Sequence, residues 1–415
     1  MADVGRDLPG GSDPAGGQLI PRPIRLFPVL LCLCTFPTAV DARQTAPAQQ
    51  TVSDIIDFLV TNQAVQTGDF ERDRAAAEAA RDAIARALLV NLTSVPLASS
   101  SSGFLYRLNQ QLGTMERTTQ SFGSFFVERA LTAGSGRASF GVSAVTSSFD
   151  RLGDLPLREG TLTTVANQFR DESAPFDTEA LTLRMRSSTL TVFGSVGITN
   201  RFEVGAALPL IHLSVEGQRL NVYRDQPFLQ ASGNATADGV GDAAVRAKYT
   251  LAQASTAALA AAAEVRLPTG DDGNLLGAGA TAYRFLGIGS IETGRLTLHG
   301  NGGIVFGGVS DEVNFAGAAA FAVRPRVTVS GEVLLRRVDE LHDLRLTSER
   351  HPTILGVETL RLTPGESATT LANAVAGVKW NAGGTLVVGG YVAFPLVRRG
   401  LTAPITPTLA LEYSF

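Results

Sequence analysis

The stretch "TLALEYSF", residues 408–415, ends the chain on a strict alternation of apolar and polar side chains. In an extended strand Leu409, Leu411, Tyr413 and Phe415 share one side, and Thr408, Ala410, Glu412 and Ser414 share the other. Such a strand fits a half-buried sheet, and it fits equally a wall with lipid on one side and water on the other. The rest of the chain has to separate the two.

Composition narrows the classes. The 415 residues include 43 glycines, 44% hydrophobic and 18% charged residues, too apolar for disorder and too glycine-rich for a helical bundle. A formal charge of −4 offers no basic surface to nucleic acid. Both cysteines, Cys32 and Cys34, lie in the apolar run "LFPVLLCLCTFPTAV" behind Arg22 and Arg25. Residues 1–42 are therefore expected to hold a secretory signal peptide cut after Ala42, with a translation start later than Met1. Beyond Ala42 no run of about 18 apolar residues occurs, which excludes a spanning helix. An exported chain that enters a membrane must then do so as a closed barrel.

Residues 43–136 form a first region, expected as a plug or a periplasmic segment. Ser53 can cap a helix running to about Gln66, and Asp69 a second running to about Val90, with Gly68 between them and Asp82 placed to pair with Arg86. Residues 104–131, with "GFLYRLN" and "FGSFFVERA", fit either plug segments or two further strands.

From about residue 137 the period becomes two. Strands are expected near 137–149, 180–196, 200–215, 240–251, 256–267, 277–288, 294–307, 313–323, 326–338, 370–380, 384–395 and 404–415, twelve in all, or fourteen if residues 104–131 join them. The connections after even strands are short: "TN", "AQAS", "GSIE", "RP" and "NAG". Those after odd strands are mostly long, as in 150–179, 216–239 and 339–369. This sorting predicts an all-β, antiparallel transmembrane barrel over 137–415, set in the bacterial outer membrane with both termini periplasmic. A soluble sandwich has no reason to sort its loops so.

The faces follow the same plan. Val327, Val329, Val333 and Leu335 alternate with Thr328, Ser330, Glu332 and Arg336. Phe202, Phe321, Trp380, Tyr413 and Phe415 collect near the short-turn ends and Phe306 near a long-loop end, where aromatic girdles belong. The strand at 180–196 slips phase between Met185 and Leu190, which suggests a bulge or a misplaced boundary. Asp242, Arg246, Lys248, Glu264, Arg266, Arg295, His299, Glu332, Arg336 and Lys379 fall on the polar phase and are expected to line the lumen. Such rows either filter solutes or pair across a narrow interior.

"GVGDAAVRAKY" (239–249), "AAEVRLPTGDDGNLLGAG" (262–279) and "TPTLALEYSF" (406–415) resemble outer-membrane proteins grouped with the meta-pathway of phenol degradation, distantly similar to long-chain fatty acid channels. The resemblance covers roughly 137–415 and implies passive entry of small hydrophobic or aromatic molecules, with no catalytic motif and no cofactor. Its terminal aromatic, Phe415, resembles the signature that barrel-assembly machinery recognises, so that machinery and outer-membrane lipid are the expected partners.

Three other readings remain. A barrel could serve as a structural or assembly anchor for the helices. "PTGDDGN" could offer Asp271, Asp272 and Asn274 to calcium, or be a plain surface turn. His212 and Ser214 share a strand face, as in an outer-membrane phospholipase, but a third residue to orient the histidine is not evident.

Overall fold

The computed structural model describes residues 50–61, 65, 67–93, 121–160, 162–365 and 368–415, and the strand backbones 106–109 and 114–117. The expected signal peptide and both cysteines lie outside the described residues.

Twelve strands pair antiparallel into a closed wall: β1 Ala138–Phe149, β2 Asp177–Gly197, β3 Phe202–Tyr223, β4 Ala244–Gln253, β5 Ala257–Arg266, β6 Ala282–Thr293, β7 Leu296–Gly307, β8 Glu312–Arg324, β9 Val327–Asp339, β10 Ala368–Gly383, β11 Leu386–Pro395 and β12 Thr406–Ser414. β12 pairs with β1 from Ser414↔Ser139 to Thr408↔Val145, so the last residues close the wall on the first strand. No helix of the described chain is long and apolar enough to cross a membrane, and closure is what leaves no backbone edge open to lipid.

The terminal stretch identifies the faces. Leu409, Leu411, Tyr413 and Phe415 are 67%, 47%, 50% and 66% exposed, whereas Thr408, Ala410 and Glu412 are 2%, 8% and 5% exposed. The same inversion runs around the wall, where Val245, Leu259, Leu298, Phe321, Val333 and Trp380 all point outward. A continuous apolar belt of this kind requires an apolar surrounding, since soluble monomers keep such patches small.

The sixth strand departs from expectation. Its range is Ala282–Thr293 rather than 277–288, because "GSIE" continues the β6–β7 ladder through Ser290↔His299 and Glu292↔Thr297. The turn falls at Gly294 and Arg295, and Gly294 adopts φ 55°, where glycine avoids a Cβ clash. Arg295 is therefore exposed at a turn and not in the lumen.

The long-loop end carries more structure than loops. β2 and β3 rise beyond the barrel and are joined there by strands Leu162–Phe169, Val357–Pro364, Leu344–Arg350 and Gln226–Val240. No bulge interrupts β2 against β1 or β3. Its apparent slip is a change of environment: Leu181, Leu183 and Met185 turn inward onto helices, while Leu190 and Val196 turn outward.

Those helices are α1 Val52–Thr61 and α2 Phe70–Thr93. Thr51, rather than Ser53, caps α1: its hydroxyl accepts from the Asp54 N–H (3.1 Å) and the Asp54 carboxylate accepts from the Thr51 N–H (2.9 Å). The "DDGN" turn reinforces this cap, since the Gly273 carbonyl accepts from the Ser53 N–H and the Asn274 amide oxygen from the Val52 N–H, at 3.2 Å each. Asp69 caps α2 through the Arg72 N–H (3.2 Å). Asp82 pairs with Arg81, not Arg86, which instead reaches Glu340 (3.0 Å) and the Val309 carbonyl (2.8 Å).

Buried charges fasten the helices to the raised sheet. Arg219 donates to the carbonyls of Leu59 and Val60 at the end of α1 and to Glu179 (2.9 Å), while Arg361 binds Asp73 (2.6 Å) on α2. Around them Ile55, Ile56, Leu59, Ile84 and Leu88 pack on Leu183, Leu213 and Val215. Gln50 and α1 thus lie at the long-loop end, opposite Phe415.

Candidate functional site: a plugged lumen and its mouth

Residues 121–133 run inside the barrel without regular structure, adding no strand to the wall, and join β1 at the short-turn end. The separate hairpin Tyr106–Asn109 and Thr114–Arg117 pairs only with itself. Fourteen wall strands are therefore excluded among the described residues.

A buried segment with no ladder must find partners for its backbone elsewhere. The wall supplies them. Glu332 accepts from the N–H groups of Phe125 (2.8 Å), Phe126 (2.8 Å) and Val127 (3.1 Å). Glu203 accepts from the Ala133 N–H (2.7 Å) and Ser290 from the Ala130 N–H (2.9 Å). Lys248 donates to the carbonyls of Arg129 and Leu131, and Lys379 to that of Ser124 (3.2 Å). Side chains add a second layer: Glu128 pairs with Arg246, Arg129 with Glu292 (2.9 Å), and Phe125 stacks on Tyr391 at 4.6 Å.

The sequence-derived residues divide by height. Arg246, Lys248, Glu332 and Lys379 hold the segment directly, and His299 bonds Ser290 (2.9 Å) beside it. Asp242 is turned to the loop, accepting from the N–H groups of Gly270 (3.1 Å) and Ala278 (2.8 Å). Arg266 and Arg336 sit higher, at the mouth, and Glu264, the register partner of Arg246, holds Arg266 from the wall.

Above Phe126 the interior opens into two cavities of about 110 and 130 Å3 beneath the C-terminal part of α2. Each is large compared with the ~10–15 Å3 that admits one water. Phe126 and Leu334 line both. The first carries the mouth charges: Arg266 binds Glu264 (2.9 Å) and the Thr93 carbonyl, and Arg336 binds Glu312 (3.0 Å). Arg284 and Glu312 belong here but were missed by sequence reasoning. The displaced sixth strand hid Arg284; its register partner Glu264, already on the polar phase, was the available signal.

His212 lies on the outer face with Asp238 of the neighbouring strand at 2.6 Å. Ser214 shares that face, but among the described residues no hydrogen bond joins it to His212. The couple reads as an exposed hydrogen bond between strands.

No family model and no curated protein matches the chain. Among solved structures it is similar to a COG4313 outer membrane channel from Pseudomonas putida F1, with 13% identity, a TM-score of 0.41, and coverage of 68% of this chain and 96% of that one. A FadL homologue of Pseudomonas aeruginosa gives 10%, 0.33, 77% and 97%, and the transport unit of the autotransporter AIDA-I from Escherichia coli 12%, 0.37, 79% and 97%. Likeness this distant leaves the functional argument to the geometry.

Proposed function

We propose that this chain is an outer-membrane channel for passive uptake of small, mainly hydrophobic or aromatic molecules, closed at rest by residues 121–133. The observation that carries the reading is the closed wall with an apolar belt outside and a segment inside held by polar side chains. Polar tethers of single backbone groups can be exchanged for water, so the plug can shift without unmaking an apolar core. In this reading the long-loop end faces outward, and solutes meet the two mouth cavities first. Asp242, Arg246, Lys248, Glu264, Arg266, His299, Glu332, Arg336 and Lys379 serve as the inner wall of the route. Outer-membrane lipid surrounds the belt, and the strand ending at Phe415 is offered to the assembly machinery.

The test compares the full mature chain with a form lacking residues 43–133, both reconstituted in planar bilayers after gel mobility has established a heat-sensitive folded barrel. The truncated form should conduct at least tenfold more. Equal conductance would reject the plug, and a folded, plugless barrel that passes no solute would reject the channel. The density of buried pairs around residues 121–133 favours one second reading, a structural barrel displaying the helical cap; that same plugless silence is its signature.

A further inference from the structure

In the first cavity the three guanidinium groups are unequally committed. Arg266 is taken by Glu264 and Thr93, and Arg336 by Glu312 through two of its nitrogens. Arg284 lies between these pairs, opposite Glu264 on β5 and Val305 on β7. Among the described residues it makes no hydrogen bond, and its Nε is buried without a partner. Asp242, which also lines the cavity, spends its oxygens on loop backbone. Asp242, Glu264 and Glu312 balance the three arginines in charge, but among the described residues Arg284 alone of the three has no hydrogen-bond partner. The remaining wall is mostly apolar, with Val90, Phe126, Val305, Leu334 and Val338, and Asn301, Ser310 and Asn314 add polar atoms to it.

A buried donor fork facing an apolar hollow is matched by a planar anion carrying an apolar body. We propose that this cavity binds a small monocarboxylate, its carboxylate on Arg284 and its apolar body toward Phe126 and Leu334. This deepens the channel reading by giving it a solute class, and it rests on that reading only for the step of passage. Glu264 and Glu312 then act as specificity elements: each holds its own arginine through one oxygen, and their charge excludes dianions.

The test measures equilibrium binding of benzoate, benzyl alcohol and acetate to the full mature protein in detergent, where no permeation is needed. Benzoate should bind saturably at one site, with the alcohol and acetate at least tenfold weaker. Arg284→Gln should weaken benzoate at least tenfold. Val305→Asp, which places a competing carboxylate beside an intact Arg284, should do the same and serves if the first variant loses its heat-sensitive gel mobility. Absence of saturable benzoate binding, equal binding of the alcohol, or unchanged affinity in a folded Arg284→Gln protein would overturn the site. Solute conductance persisting without such binding would remove this inference and leave the channel; binding without conductance would do the reverse.

Discussion

From Val204 to Leu210, β3 turns Val204, Ala206, Leu208 and Leu210 outward and sets Glu203 inward against the plug. From Ile211 to Arg219 the same strand turns Ile211, Leu213 and Val215 inward, and presents His212, Ser214, Glu216 and Gln218 to the outside. The backbone does not change register between the halves, and its ladder with β2 runs unbroken from Gly197↔Glu203 to Asp177↔Tyr223. What changes is the solvent: below the border oil is outside and polar groups are inside; above it water is outside and the helical cap supplies an apolar interior. An alternation therefore encodes two faces, and only the surroundings say which face is buried.

The largest expected effect breaks the comparison on the outer face. Val333→Arg, in the lower belt, should cost about 2–4 kcal/mol and abolish the heat-sensitive gel band, whereas Ser214→Arg, above the border, should cost about 0–1 kcal/mol and keep it. Equal effects would misplace the border. On the inner face, Leu88→Ala should cost about 2–5 kcal/mol of cap docking, read as faster proteolysis of α2 in a barrel whose gel shift is unchanged. Glu332→Gln removes the charge from an acceptor of three amides, each such bond contributing about 1.5–3 kcal/mol. It should raise channel opening in bilayers without loosening the cap, and a closed record would show that the other tethers suffice.

The smallest effect concerns α1. Thr51→Ala should weaken its docking by about 0.5–2 kcal/mol, measured by hydrogen exchange of residues 52–61. The Thr51 backbone N–H, then its hydroxyl, hold the Asp54 carboxyl below its ordinary value. A group depressed on folding stabilises above its unfolded pKa, so this contribution is complete at neutral pH and is lost as pH falls through the depressed folded value. Protection of α1 in the native protein should decline in acid, and should do so less in Asp54→Asn.

Much of the wall was legible before folding. Period two, short even connections and long odd ones yield the twelve strands, because register and hairpin turns are local properties. Among the short connections the turn at Gly294 and Arg295 was misread: Ser290 and Glu292, taken as turn residues, carry inward-facing partners of the plug. The apparent fault at Met185 to Leu190 had a real cause, but one that no window on β2 contains.

The sequence alone determined the alternation, the closure implied by "TLALEYSF" and most of the charges on the polar phase, since each depends on neighbours two or a few residues away. The tertiary structure alone decided where the helices sit, that residues 121–133 run inside the wall, and which arginine of the mouth is left without a hydrogen bond. Those outcomes depend on which carboxylates and carbonyls meet across more than a hundred residues, as Glu332 meets Phe125 and Arg266 meets Thr93, and such meetings leave no local period to read.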